Sequence, residues 1–366
     1  MIQLRRRSVA VLSAAALVGT AAIASLPADA APKAPPGGVG LEVYEGQVDA
    51  AGVEKMRELG LDASTFVVDE GAGGTVEVEA VLSDRQAAKL RKDGVDLKVK
   101  EIDGVAASKA LEQQAQQGWD AFRPYGTPGG IKDEILATAA AFPDLAKVVV
   151  IGETVNGQEI LGLKVTKDAS KLKDGKRPAV LYASAQHARE WITPEMTRRL
   201  MHYFLDNYGS DAEITGLIDT TELWFIPVLN PDGYDFTHTD ERLWRKNLRD
   251  NNGDGQITVG DGVDLNRNFA VKWGYDNEGS SPDPASDTYR GTGPNSEPET
   301  QALDSLFARL RFEFFVNYHS AAELLLYGIG WQVSTPSPDD VIYEAMAGTD
   351  TNSAIPGYDP DISAEL

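Results

Sequence analysis

His187 and Glu190 stand three residues apart in Gln186-His187-Ala188-Arg189-Glu190-Trp191, just past the apolar run Ala179–Ala183. In a turn, that spacing lets an imidazole and a carboxylate converge on one point, supplying two of the three protein ligands that a catalytic zinc takes. His-x-x-Glu alone recurs by chance in many chains, and a surface histidine beside a surface glutamate is the plain alternative. His319 changes the weighing. It ends the apolar run Phe314-Phe315-Val316-Asn317-Tyr318, again at the C-terminal end of a strand candidate. Ligands of open α/β sheets gather outside such strand ends, so the two histidines can meet in one crevice. The chain has no cysteine, which excludes thiolate metal sites and thiol nucleophiles and leaves His, Asp and Glu for metal chemistry. Of the other two histidines, His202 lies in an amphipathic helical stretch and His238 in a polar loop, and both read as structural.

A second constellation runs from Asp250 to Asp261. Oxygen donors fall at positions 1, 3 and 5 (Asp250, Asn252, Asp254), Gly255 makes the turn at 6, and Ile257 is apolar at 8. This is the pattern of the twelve-residue calcium loop, in which Gln256 offers its backbone carbonyl and Thr258 a side chain or a water. Position 12 is Asp261 rather than Glu, so bidentate closure weakens and affinity falls. A polar Asn/Asp/Gly surface turn is the bland alternative.

The elements that must position these residues change character along the chain. Residues 31–40 are too rich in Pro and Gly for regular structure and read as a leader or linker. Between Leu41 and Ile102 the pattern predicts strands over Leu41–Val48, Thr75–Leu82 and Val95–Lys100. One helix runs from an Asp49 cap to about Leu59, and a second opens on the capping box Ser83–Gln86 and ends at Gly94. Val105–Gln117 is Ala/Gln-rich and helix-favouring, a connecting segment. From about Gly118, strand candidates alternate with helices. The strands are Val148–Ile151, Ile160–Val165, Ala179–Ala183, Leu223–Val228, Phe312–Tyr318 and Leu324–Tyr327. Thr193-Pro194 marks one helix start, stopped at Gly209, and Ser296-Glu297-Pro298-Glu299 opens another that runs to about Arg309. The class is α/β: a mixed, mostly parallel sheet flanked by helices, preceded by a small α+β domain.

The 366 residues, 42% hydrophobic and 25% charged, suit a chain of about two domains with real cores. A net charge of −22 argues against nucleic acid as a partner, because phosphate rewards clustered cations. At the N-terminus, Arg5–Arg7 precede an Ala-rich apolar stretch over Val9–Leu26, and Ala28-Asp29-Ala30 gives a small-x-small cleavage pattern. Residues 1–30 therefore read as a signal peptide, and the product as secreted and extracellular. No later segment reaches the length of a membrane span, so no membrane partner is expected after cleavage.

Five motifs occur in order: His187-Ala-Arg-Glu-Trp191, Asn230-Pro-Asp-Gly233, Arg242-Leu-Trp-Arg-Lys246, Val263-Asp-Leu-Asn-Arg-Asn268 and His319-Ser320. From about Trp119 onward this series resembles the zinc metallocarboxypeptidases of the pancreatic carboxypeptidase A type, including their bacterial members. The resemblance implies a secreted zinc carboxypeptidase that acts as a monomer on peptide or protein C-termini. Residues 31–117 would be its propeptide-like domain and connecting segment, and 118–366 its catalytic domain. It implies zinc held by His187, Glu190 and His319, with a zinc-activated water attacking a polarised carbonyl. Arg245 would stabilise the oxyanion, and Asn266 and Arg267 would grip the substrate α-carboxylate with help from Arg189. Asp264 would fix the outer nitrogen of His187. The family's general-base glutamate and substrate-facing tyrosine come after the second metal histidine. Glu365 is the one candidate base, but it lies too near His319 and no apolar strand precedes it, so Ile362–Leu366 reads as the approach to that segment and the catalytic domain as incomplete. Two rival readings are a catalytically impaired peptide-binding relative and a zinc amidohydrolase acting on cell-wall peptides.

Overall fold

The computed structural model describes residues 39–61, 66–70, 74–115, 121–320, 322–332, 335–349 and 351–363. The expected signal peptide and Glu365 lie outside them. The N-terminal described part comprises β1 (Leu41–Asp49), α1 (Ala50–Arg57), β2 (Phe66–Glu70), β3 (Thr75–Ser83), α2 (Asp84–Lys92) and β4 (Lys98–Val99). Its antiparallel sheet has the order β2-β3-β1-β4. Asp49 caps α1 by accepting from Gly52 N, and Ser83 and Gln86 close the expected capping box on α2. Met56, Leu90, Val78 and Leu82 form a separate core there. β2 was not read from the sequence. The strand expected over Val95–Lys100 shrinks to two residues, because Val95 and Leu97 turn into that core. A two-residue pair, β5 (Glu101–Ile102) and β6 (Val105–Ala106), then leads into α3 (Ala107–Ala115).

The larger part contains α4 (Ile131–Ala141), β7 (Ala146–Glu153), β8 (Glu159–Val165), β9 (Ala179–Ser184), α5 (Ile192–Asn207), α6 (Ala212–Thr220), β10 (Glu222–Ile226) and α7 (Pro231–Thr239). After a long irregular stretch come α8 (Pro298–Arg309), β11 (Phe312–Tyr318), β12 (Leu324–Tyr327), α9 (Asp340–Ala347), β13 (Gly348–Thr349), β14 (Asn352–Ser353) and β15 (Asp359–Ile362). The central sheet has the order β11-β9-β10-β8-β7. β11, β9 and β10 run parallel, β8 runs against them, and β7, antiparallel to β8, runs with them again, so the sheet is mixed, in agreement with the α/β expectation.

Period-two alternation explains the layers. On β10, Leu223 and Phe225 join Met201, Phe204, Ile214 and Ile218 of α5 and α6 on one face. Trp224 and Ile226 join Ala302, Leu303 and Leu306 of α8 on the other. β10 is buried at every position, and burial on both faces requires the continuous apolar run Leu223-Trp224-Phe225-Ile226 that it carries.

Two helix starts differ from the sequence reading. α5 begins at Ile192, because the Thr193 hydroxyl is used elsewhere, donating to Glu190 O and accepting from Ala185 N. α8 begins at Pro298 after Glu297, with no side-chain cap from Ser296. His238 belongs to α7 rather than to a polar loop: burial against Trp191, with rings 4.0 Å apart and nearly parallel, outweighs the polar local sequence.

Candidate metal centre and active site

β9 ends at Ser184 and β11 at Tyr318, and these two residues are register partners on adjacent parallel strands. That register delivers His187 and His319 to the same sheet end. The turn that follows β9 is held by Asn230 N donating to Ala185 O, Ala188 N to Arg245 O, and the Thr193 hydroxyl to Glu190 O. His187 Nδ1 lies 2.8 Å from Glu190 Oε1, and His319 Nδ1 lies 3.0 Å from His187 Nδ1 and 3.2 Å from Glu190 Oε2. Among the described residues, these three form the one group of at least three His, Cys, Asp or Glu side chains whose donor atoms all fall within 4.8 Å of one another. Two imidazole nitrogens and a carboxylate crowded at such range fit a cation between them, in the donor types and number of an open catalytic zinc site. His187 and Glu190 are buried, whereas the His319 side chain is 29% exposed, so the centre opens on its side. Burial alone would raise the Glu190 carboxyl, but His187 and His319 outweigh it and hold it well below the usual range.

Behind the centre, Asp264 is a buried hub. Its Oδ1 lies 3.1 Å from His187 Nε2 and accepts from Asn266 N at 2.8 Å, while Oδ2 accepts from Arg245 Nε at 3.1 Å and Nη2 at 2.9 Å. Burial pushes this carboxyl up, yet Arg245 and then His187 pull it well below the usual range. The proton of His187 therefore belongs on Nε2, facing Asp264, which leaves the Nδ1 lone pair for the metal. Arg245 Nη1 sits 3.9 Å from Glu190 Oε1, beside the metal donors.

Asn266 and Arg267 form a 3-10 turn, Leu265–Arg267, which Asp264 caps. Arg267 donates from Nε to Gly279 O at 2.5 Å and from Nη1 to Asn266 O at 3.3 Å. Arg189 pairs with Asp287 at 2.8 Å and donates to Leu243 O at 3.3 Å. Asn230 opens the Asn-Pro-Asp-Gly motif and caps α7. Its amide donates to Gln186 O and to Lys246 O, both at 3.1 Å, and so bolts the metal turn to the Arg245 loop. Gly233 permits this approach: a Cβ there would meet Lys246 O at 2.5 Å.

The 250–261 loop is ordered mainly by its own side chains. Asp250 accepts from Gly253 N and Gly255 N, Asn252 from Asp254 N, and Asp254 from Gln256 N. Ile257 is buried, in one cluster with Trp244 and Leu248. Asp261 accepts from Thr258 N and its hydroxyl on one oxygen and from Asn251 N on the other. Asp250, Asp254 and Asp261 do not gather as the zinc donors do.

A mixed α/β sheet with a three-donor metal centre at its parallel strand ends defines a metal-dependent protein of the carboxypeptidase fold. The model of the peptidase M14 zinc carboxypeptidases matches residues 131–356, and the chain belongs to this family. Carboxypeptidase A2 of Rattus norvegicus is 31% identical over 274 residues, 72% of this chain and 63% of that protein. A metallocarboxypeptidase A-like protein of Trichophyton verrucosum is 34% identical over 208 residues, 56% of this chain and 46% of that one. The chain thus spans between about half and two thirds of the length of these relatives. Among solved structures, carboxypeptidase A from Helicoverpa armigera superposes with a TM-score of 0.67 at 26% identity, covering 89% of this chain and 82% of its own.

Proposed function

We propose that the chain carries the metal and substrate-gripping machinery of a secreted zinc carboxypeptidase that removes C-terminal residues from peptides. The convergence of His187, Glu190 and His319 on one point, with Asp264 behind His187, is the observation that carries this reading. Zinc bound there would activate water and polarise the scissile carbonyl. Arg245, pre-aimed by Asp264, offers a buried guanidinium beside the metal donors for charge developing on that carbonyl oxygen. Asn266 and Arg267, on the turn that Asp264 caps, are assigned to the substrate α-carboxylate, with Arg189 as a secondary contact. Residues 31–117 are assigned as propeptide and connecting segment. In support, Leu41 and Val43 of β1 share a core cluster with Ala188, Leu243 and Trp244, which flank the site residues. A signal peptide over residues 1–30, an extracellular location, a monomeric state and a calcium ion in the 250–261 loop complete the proposal. The Asp250–Gly255 contact and the buried Ile257 support the calcium assignment.

The test is hydrolysis of a blocked dipeptide by the 366-residue chain. Release of the C-terminal residue is expected, lost on chelation, restored by zinc and absent when the substrate ends in an amide. Zinc binding without hydrolysis favours the peptide-binding reading for this polypeptide. Equal cleavage of the amide-capped substrate overturns the carboxypeptidase reading.

A further inference from the structure

The second metal histidine carries an unassigned neighbour. Asn317 lies on β11 in register with Ala183 of β9, so its side chain reaches the turn that follows β9. Its Nδ2 is 2.6 Å from Gln186 Oε1 and 2.9 Å from His319 Nε2. The two remaining amide atoms of this pair, Gln186 Nε2 and Asn317 Oδ1, are buried without a hydrogen-bond partner among the described residues.

This arrangement conflicts with metal ligation in one definite way. His319 turns Nδ1 toward His187 and Glu190, and a metal there takes the Nδ1 lone pair. The proton of the neutral ring must then sit on Nε2, which becomes a donor, and an amide nitrogen cannot accept it. The oxygen and nitrogen of an amide are nearly identical in shape, so a half-turn of the Asn317 amide places Oδ1 on the same spot. The same half-turn of Gln186 presents its Nε2 to that oxygen. One oxygen with two lone pairs then accepts two donors, His319 Nε2–H and Gln186 Nε2–H.

We propose that Asn317 is the positioning residue of the metal ligand His319, its amide oxygen fixing the His319 tautomer and its own orientation held by Gln186. The inference rests on the zinc reading above. Asn317 would do for His319 what Asp264 does for His187, with one difference. Asp264 is a charge balanced by buried Arg245, while the Gln186–Asn317 pair is neutral and needs no counter-ion.

Asn317→Leu and Asn317→Asp separate this role from ordinary packing between β11 and the β9 turn. Zinc affinity, read by competition with a chromogenic chelator, should fall about 10–100-fold in Asn317→Leu, the usual penalty for losing a partner behind a metal ligand. Asn317→Asp, which still accepts from Nε2–H but cannot donate, should stay within a few-fold of the parent protein. Equal affinity of parent and Asn317→Leu overturns the proposal, as does an Asn317→Asp variant as weak as Asn317→Leu. A second reading needs no variant. In the zinc-loaded parent, ¹⁵N spectra should show His319 Nε2 protonated and slow to exchange, and an unprotonated Nε2 overturns the assignment. A parent protein that binds no zinc would instead overturn the proposed function on which the inference depends.

Discussion

At the scale of single residues, one carboxylate organises the site. Asp264 receives a metal-ligand imidazole, a buried guanidinium and the backbone N–H that opens the Asn266–Arg267 turn. Removing it leaves His187 Nε2–H without its acceptor and takes from buried Arg245 the carboxylate that accepts from its Nε and Nη2. Asp264→Ala should weaken zinc binding about 10–100-fold and destabilise the fold by about 3–5 kcal/mol. Asp264→Asn keeps an acceptor for His187 and should lose less zinc affinity, while still removing the charge that Asp264 sets against Arg245. Chelator competition and thermal melts of the two variants separate the effects, and unchanged zinc affinity in Asp264→Ala would show that His187 does not need this partner. The metal donors themselves were readable from the sequence because each ends or follows an apolar strand and because His and Glu have few other uses in such places. Asn230, Gln186 and Asn317 were not. A polar amide declares no role until the fold shows which nitrogen or carbonyl it meets.

At the scale of elements, apolar runs located the five strands of the central sheet, and cap residues located α1 and α2. It failed where a local signal was used tertiarily. Thr193-Pro194 has the form of a helix start, yet the Thr193 hydroxyl closes the turn that carries Glu190. His238 sits among polar residues, but its ring is stacked on Trp191. β2, a five-residue run, takes its order from pairing with β3, which no local pattern announces. The 250–261 loop belongs to the same scale. Its ends are tied by Asp261, and its apolar position is anchored in the core, so a bound calcium would stiffen the segment between Arg245 and Asn266. Millimolar calcium, added to zinc-loaded protein, should raise the melting temperature by several degrees through preferential binding to the native state. The rise should vanish in Asp250→Ala. A melting temperature indifferent to calcium leaves the loop as a self-capped polar turn.

At the scale of the whole molecule, buried acids join α8 to the β7–β8 turn and the Arg245 loop, and one of them makes stability depend on pH. Glu299, in the first turn of α8, accepts from Val155 N in the turn between β7 and β8 at 3.0 Å and from Asn247 Nδ2 at 3.1 Å. Asn247 follows Arg245 by two residues and also donates to Glu297, which pairs with Arg249 at 3.0 Å. Burial, only partly opposed by hydrogen bonds from its own backbone N–H, Val155 and Asn247 and slightly reinforced by the negative charge of Glu297, raises the Glu299 carboxyl from 4.5 to about 7. Because the folded value lies above the unfolded one, the native state holds this proton more tightly. The contribution to stability is fully present below about pH 4.5 and is lost as pH rises through about 7. A shift of that size corresponds to about 3 kcal/mol between the limits, at roughly 1.4 kcal/mol per pH unit. Glu299→Gln mimics the protonated form and removes the titration. The melting temperature of the parent protein relative to Glu299→Gln should therefore fall between pH 5 and pH 8.5, by about 5–10 °C for a domain of this size. Other titrating groups, including those behind the net charge of −22, are common to both proteins and cancel in the difference. Parallel melting curves across that range would show that Glu299 stays ionised at the joint between α8, the β7–β8 turn and the Arg245 loop.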